Sequence, residues 1–157
     1  LIVYLDDDTM YDSRLVTNLL KWFMTDTRSA WGLSGFDFEN YFQRHYPRQH
    51  GVTVDVLEGY GAVIVKAEWI QNMVDEFKQL QNEAQAADDV ILSNLLTKQG
   101  VKLKTIFTPE CHVGQIQQLS YGFDSDALHH IGHHENYKRV LMSLEDKGKS
   151  YFKYKCS

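Results

Sequence analysis

The chain opens Leu1-Ile2-Val3-Tyr4-Leu5-Asp6-Asp7-Asp8-Thr9-Met10-Tyr11, and how this stretch is read decides the fold. Five apolar, β-favouring residues running into three carboxylates predict a buried, parallel central strand that ends at a sheet edge, where open α/β sheets keep their ligands. Adjacent carboxylates repel one another and call for a cationic partner. Along an extended segment Asp6 and Asp8 share one side while Asp7 points away. Asp6 and Asp8 therefore form an Asp-x-Asp pair able to hold Mg2+ or Mn2+ through hard oxygen ligands, with open positions left for substrate phosphates. The same triplet also suits a solvated turn before a helix.

The 157 residues suffice for one domain with a real core, and 43% hydrophobic with 24% charged residues is ordinary for a globular protein. A net charge of -5 argues against a general nucleic-acid surface. No apolar run is long enough to span a membrane, and no signal peptide is visible. Cys111 and Cys156 define neither a disulfide framework nor a metal cluster. A strand at the very start predicts that residues belonging to the fold lie upstream.

Asp12 or Ser13 can cap a helix reaching about Thr25, with Leu15, Leu19, Leu20 and Phe23 on its apolar face. Residues 28–50 interleave Trp31, Phe36, Phe38, Tyr41, Phe42 and Tyr46 with Arg44, His45, Arg48 and His50, which predicts a short strand and an irregular aromatic loop, suited equally to stacking against a sugar or to packing as a surface lobe. Val52, Val54 and Val56 have strand spacing. Glu58-Gly59-Tyr60-Gly61 interrupts them before a buried strand at 62–65, its glycines permitting close approach of a ligand or simply a tight turn. Residues 67–86 predict one amphipathic helix. Asp88-Asp89 then open a helix ending at Gly100, where one acid suffices as a cap and the second is free to act as a general base. Residues 101–107 predict a further strand. His112, His129, His130, His133 and His134 suggest metal or phosphate contacts or an ordinary surface turn, 136–144 a short helix, and 147–155 a last strand or tail.

Taken together, Ile2-Val3-Tyr4-Leu5-Asp6-Asp7-Asp8, the stretch Val54-Asp55-Val56-Leu57-Glu58-Gly59-Tyr60-Gly61-Ala62-Val63-Ile64-Val65-Lys66 and Asp88-Asp89-Val90-Ile91-Leu92-Ser93 resemble, in order and separation, the glycosyltransferase-A fold of inverting, family-2-like enzymes. The resemblance implies an α/β, Rossmann-like fold with a central, mostly parallel mixed sheet flanked by helices. It also implies that 1–157 is a single catalytic fragment lacking its upstream nucleotide-binding half. On the same grounds the activity is a hexosyltransferase-like, metal-dependent transfer from a nucleotide-sugar donor, a UDP-sugar foremost, to a glycan or other hydroxyl acceptor. Asp8 would bind Mn2+ or Mg2+ and Asp6 would lie near the metal or ribose, with Asp7, Gly59, Tyr60 and Gly61 around the donor. Asp89 would be the base, Asp88 its support, and His133 or His134 a further metal contact.

Three rivals remain. In a phosphoacceptor receiver domain Asp55, at a suitable distance after Asp7, would be phosphorylated. In a haloacid-dehalogenase-type phosphatase Asp6 and Asp8 would be nucleophile and acid, although Met10 departs from that motif. The third rival is an inactive carbohydrate-binding module of the same fold. The compartment, cytoplasm or Golgi lumen, is not legible.

Overall fold

The computed structural model describes residues 1–6, 9–40, 43–107, 116–118 and 133–152. It is an α/β structure with a mixed sheet flanked by helices. Strands β1 (Ile2–Tyr4), β7 (Val63–Val65), β3 (Ser29–Gly32) and β8 (Lys102–Thr105) lie side by side in that order. The arrangement is compatible with a Rossmann-like fold.

Alternation along these strands builds two cores. Ala30, Val63, Val65 and Leu103 face one side, under Val90, Ile91 and Leu95 of helix α4 (Gln81–Lys98) and Val140, Leu141 and Leu144 of α5 (His133–Asp146). Trp31 and Ile64 face the other, where Leu15, Leu19 and Phe23 of α1 (Leu15–Phe23) cover them. Leu19 and Ile64 are fully buried, each contributing roughly 1.5–3 kcal/mol relative to exposure.

The opening strand departs from expectation. β1 is the edge strand of this sheet among the described residues and runs antiparallel to β7, with Tyr4 opposite Val63. β7 is antiparallel to β3 as well, so only β3 and β8 form a parallel pair and the sheet is not mostly parallel. An apolar run reports which faces are covered, not the direction or number of its neighbours. Here Val3 and Tyr4 pack inward from opposite faces while Leu1, Ile2 and Leu5 stay exposed.

Other boundaries shift too. The aromatic stretch forms β3, β4 (Gly35–Asn40) and β5 (Gln43–His45), more strand than loop, because Phe36 and Phe38 enter the core. The valine alternation pairs only at β6 (Val56–Leu57), beside β4, with Thr53 bridging singly to Lys104. The helix predicted for 67–86 is α2 (Ala67–Gln71), α3 (Val74–Gln79) and the start of α4; Met73 and Leu80, at the two breaks, are buried. Strands β2 (Thr9–Tyr11) and β9 (Ile116–Gln118) form a separate antiparallel pair.

Helix α4 contains the decisive local feature. Ala87 is non-helical (φ −163, ψ 73), so a new helical segment starts at Asp88, where the acidic pair predicted it. It ends as expected: Gly100 at φ 76 donates to Thr97 O (2.9 Å) and Val101 to Leu96 O (3.1 Å), a Schellman closure. Beyond α5 the chain returns over α4, where buried Asn94 accepts from Tyr151 N (2.7 Å) and donates to Lys149 O (2.8 Å). Residues 147–152 therefore dock on a helix and form no strand. No helix of the described residues is long and apolar enough to cross a membrane.

Candidate active site

Three distant segments meet at the turn 59–61. Asp89 and Ser93 lie one helical turn apart on α4, and each accepts a backbone N–H from the β6 side: Gly59 N to Asp89 Oδ1 at 2.9 Å, Leu57 N to Ser93 Oγ at 3.1 Å. From β1, the Tyr4 hydroxyl donates to Asp88 Oδ2 at 2.5 Å. From β2, the Tyr11 hydroxyl accepts the Asp6 N–H (3.1 Å) and donates to the Tyr60 carbonyl (3.1 Å). Asp6 and Asp88 both lie close enough to Asp89 for their charges to act on it.

The glycines serve the protein's own close packing. A Cβ on Gly59 would stand 2.1 Å from the Tyr4 ring and 2.9 Å from Asp6 Oδ1, and one on Gly61 would stand 2.6 Å from Ser34. The turn is a single 3₁₀ turn, closed by Ala62 N donating to Gly59 O at 2.8 Å. Ala62 follows at φ 62, ψ 130, a backbone conformation that costs an alanine about 1–3 kcal/mol and tends to mark functional sites.

On the other flank of the turn sits Glu58, only 5% exposed. Ser34 Oγ donates to its Oε2 (2.5 Å), the Tyr46 hydroxyl donates to its Oε1 (3.2 Å), and the Tyr60 hydroxyl lies 2.9 Å from Ser34 Oγ. The Arg44 guanidinium stacks over Phe36, Tyr46 and Tyr137 at 5.0–5.8 Å from the ring centroids.

Electrostatics set Asp89 apart. The residue keeps some solvent contact, but its carboxylate is enclosed by protein, and this burial pushes its pKa well above the ordinary carboxylate value. The charge of Asp88 adds to the rise, as do Asp6 and Glu58, against the lowering effect of the Gly59 N–H. Burial also raises Glu58, offset in part by Ser34, Tyr46 and Arg44. Tyr4 and Tyr137 are raised chiefly by burial, and both feel Asp89. A carboxylate held protonation-prone beside others of its kind is poised to take a proton.

Asp7, Asp8, His112, His129 and His130 lie outside the described residues, as do the side chains of His133 and His134. Tyr137, about one turn into α5, feels Asp89 and Glu58. Among the described residues no three acidic, histidine or cysteine side chains form a metal-holding group. Asp6, with its hard oxygens and its neighbouring negative charge, fits as one ligand of a divalent cation.

Asp55 is engaged elsewhere. It is half-buried, accepts from Phe38 N at 3.0 Å and lies beside Asp37. Sequence reasoning left Tyr4, Ser34, Glu58 and Tyr137 without roles and placed Tyr46 only among the aromatics of a loop. Glu58 carried a legible signal: an acid closing a hydrophobic strand before a glycine turn, the pattern that singled out Asp6. Ser34 and Tyr46 carried none, since only the fold of β4 and β5 places them there. No protein-family model matches the chain, and no curated protein is significantly similar to it.

Proposed function

We propose that the chain is the catalytic part of a metal-dependent glycosyltransferase that moves a sugar from a nucleoside diphosphate to an acceptor hydroxyl with inversion, a UDP-sugar being the first donor to test. The observation that supports this reading is the enclosed Asp89, anchored by the Gly59 amide within the field of Asp6, Asp88 and Glu58. The acceptor O–H gives its proton to Asp89 as its oxygen bonds to the anomeric carbon. The bond from that carbon to the diphosphate breaks, and its electron pair leaves on the phosphate oxygen. Gly59 N–H holds one Asp89 oxygen, so the carboxylate is oriented before the substrate arrives. Asp88, held by Tyr4, lies beside Asp89 and raises its basicity. Asp6 and Asp8 would hold Mn2+ or Mg2+, whose charge would stabilise the departing diphosphate.

Calorimetric titration with UDP- and GDP-sugars, with and without Mn2+, tests the reading on wild type, Asp8→Asn and Asp89→Asn. One nucleotide sugar binds only with metal, Asp8→Asn loses that binding, and Asp89→Asn keeps it while losing transfer. Near-native turnover in Asp89→Asn would remove the assigned base, and no binding of any donor would remove the activity.

A further inference from the structure

Beside the base, the turn carries a chain of hydroxyls that ends on buried Glu58. An ionised carboxylate can only accept, and serine has one O–H to give. Ser34 gives its own to Glu58 Oε2 at 2.5 Å, so at 2.9 Å its oxygen accepts from Tyr60. Tyr46 satisfies the other carboxylate oxygen. The single phenolic proton of Tyr60 therefore points inward, and its remaining oxygen lone pair can only accept. Tyr60 is 43% exposed, and its contact with Ser34 lies on the exposed side of the turn. Ser34 packs against Gly61, where a Cβ would come within 2.6 Å, and the Glu58 N–H is bonded to Ser34 O at 3.1 Å. Tyr60 also lies in the field of both Glu58 and Asp89.

We infer that Tyr60 is a positioning residue for the acceptor: its oxygen receives a hydrogen bond from a neutral hydroxyl next to the one that reacts, and the neighbouring Glu58 and Asp89 disfavour acceptors bearing a carboxylate at that place. The inference rests on the transferase reading and narrows its acceptor to neutral polyhydroxyl compounds. A uronic acid seated there would set its charge against the acids in whose field Tyr60 lies, Glu58 and Asp89.

The test is calorimetric titration of the whole protein with methyl glycosides of neutral hexoses and of the corresponding uronic acids, followed by acceptor kinetics with the donor identified above. Wild type binds a neutral glycoside more tightly than its uronic counterpart. Tyr60→Phe weakens that binding about three- to tenfold and raises the acceptor KM by a larger factor than it lowers kcat. Ser34→Ala keeps the phenol but frees its proton, and weakens the same ligand. Glu58→Gln removes one charge and narrows the preference against the uronic acid. Unchanged glycoside affinity in Tyr60→Phe, equal binding of neutral and uronic ligands, or no glycoside binding by wild type would each overturn the inference. Failure of the base is read separately: transfer retained in Asp89→Asn, while Tyr60→Phe still loses affinity, would leave the positioning role standing.

Discussion

Glu83 and Asp89 stand on the same helix, on either side of its break at Ala87, and their environments are opposite. Glu83 ties α4 to α5: Ser143 Oγ donates to its Oε1 at 2.7 Å and Lys147 forms an ion pair with the same oxygen. Burial alone would raise its pKa, but Lys147 and Ser143 outweigh burial and hold it below the ordinary glutamate value. Asp89 has one amide donor and is surrounded by like charge, and its pKa is raised. One acid is compensated where two helices pack; the other is kept under electrostatic tension where segments from β1, the glycine turn and α4 converge. That contrast separates a compensated carboxylate from an uncompensated one better than burial does, since both are enclosed.

The largest expected effect follows from removing the tension. Asp89→Asn lowers transfer by about 10²- to 10⁴-fold, the usual worth of a positioned base, while the amide oxygen can still accept from Gly59. Stability moves the other way. A carboxyl whose folded pKa is raised contributes stability that is complete below its unfolded pKa, about 3.9, and is lost as pH rises toward the folded value. Asparagine does not ionise, so the thermal midpoint of Asp89→Asn exceeds wild type by a margin that widens above about pH 4. Calorimetric scans from pH 3 to 8 check the sign; a midpoint below wild type throughout would show that Asp89 is compensated like Glu83.

Gly59→Ala is next. The added Cβ meets the Tyr4 ring at 2.1 Å, so Tyr4 and Asp6 must move, at a cost of about 1–3 kcal/mol. Denaturant unfolding gives the cost, and transfer falls with it because both flanks of the acidic cluster are displaced. An Ala variant with native stability and turnover would mean that the turn does not hold the cluster.

Much of this site was legible because its parts are local: apolar runs ending in acids, two glycines, an acidic pair opening a helix. The helix starting at Asp88 and the left-handed Gly100 follow from residue types alone. Strand direction is not local. Nothing in Leu1-Ile2-Val3-Tyr4-Leu5 tells that Tyr4 will face Val63 of an antiparallel neighbour. Nor does the 28–50 stretch reveal that its strands bring Ser34 and Tyr46 onto Glu58, because those contacts span 24 and 12 positions along the chain. The helix predicted for 67–86 broke at Met73 and Leu80 for a similar reason, as both side chains are drawn into the core.

The smallest effect belongs to the compensated acid. Glu83→Gln keeps a hydrogen-bond acceptor for Ser143 but loses the ion pair, whose lysine end is 44% exposed; the expected cost is therefore about 1 kcal/mol, or roughly 2–4 °C at the midpoint. Its pH dependence reverses that of Asp89→Asn. With the folded pKa lowered, the wild-type advantage is present above the unfolded value of about 4.3 and is lost as pH falls through the folded one. The deficit of Glu83→Gln thus closes in acid, whereas the gain of Asp89→Asn opens toward neutrality. Transfer by Glu83→Gln stays native, because Ala87 interrupts the helix between the two acids and the anchor of Asp89 is the Gly59 amide, not α5. A loss of turnover in Glu83→Gln at undiminished stability would show that the packing of α5 on α4 sets the position of the base, and the two carboxylates would then belong to one unit.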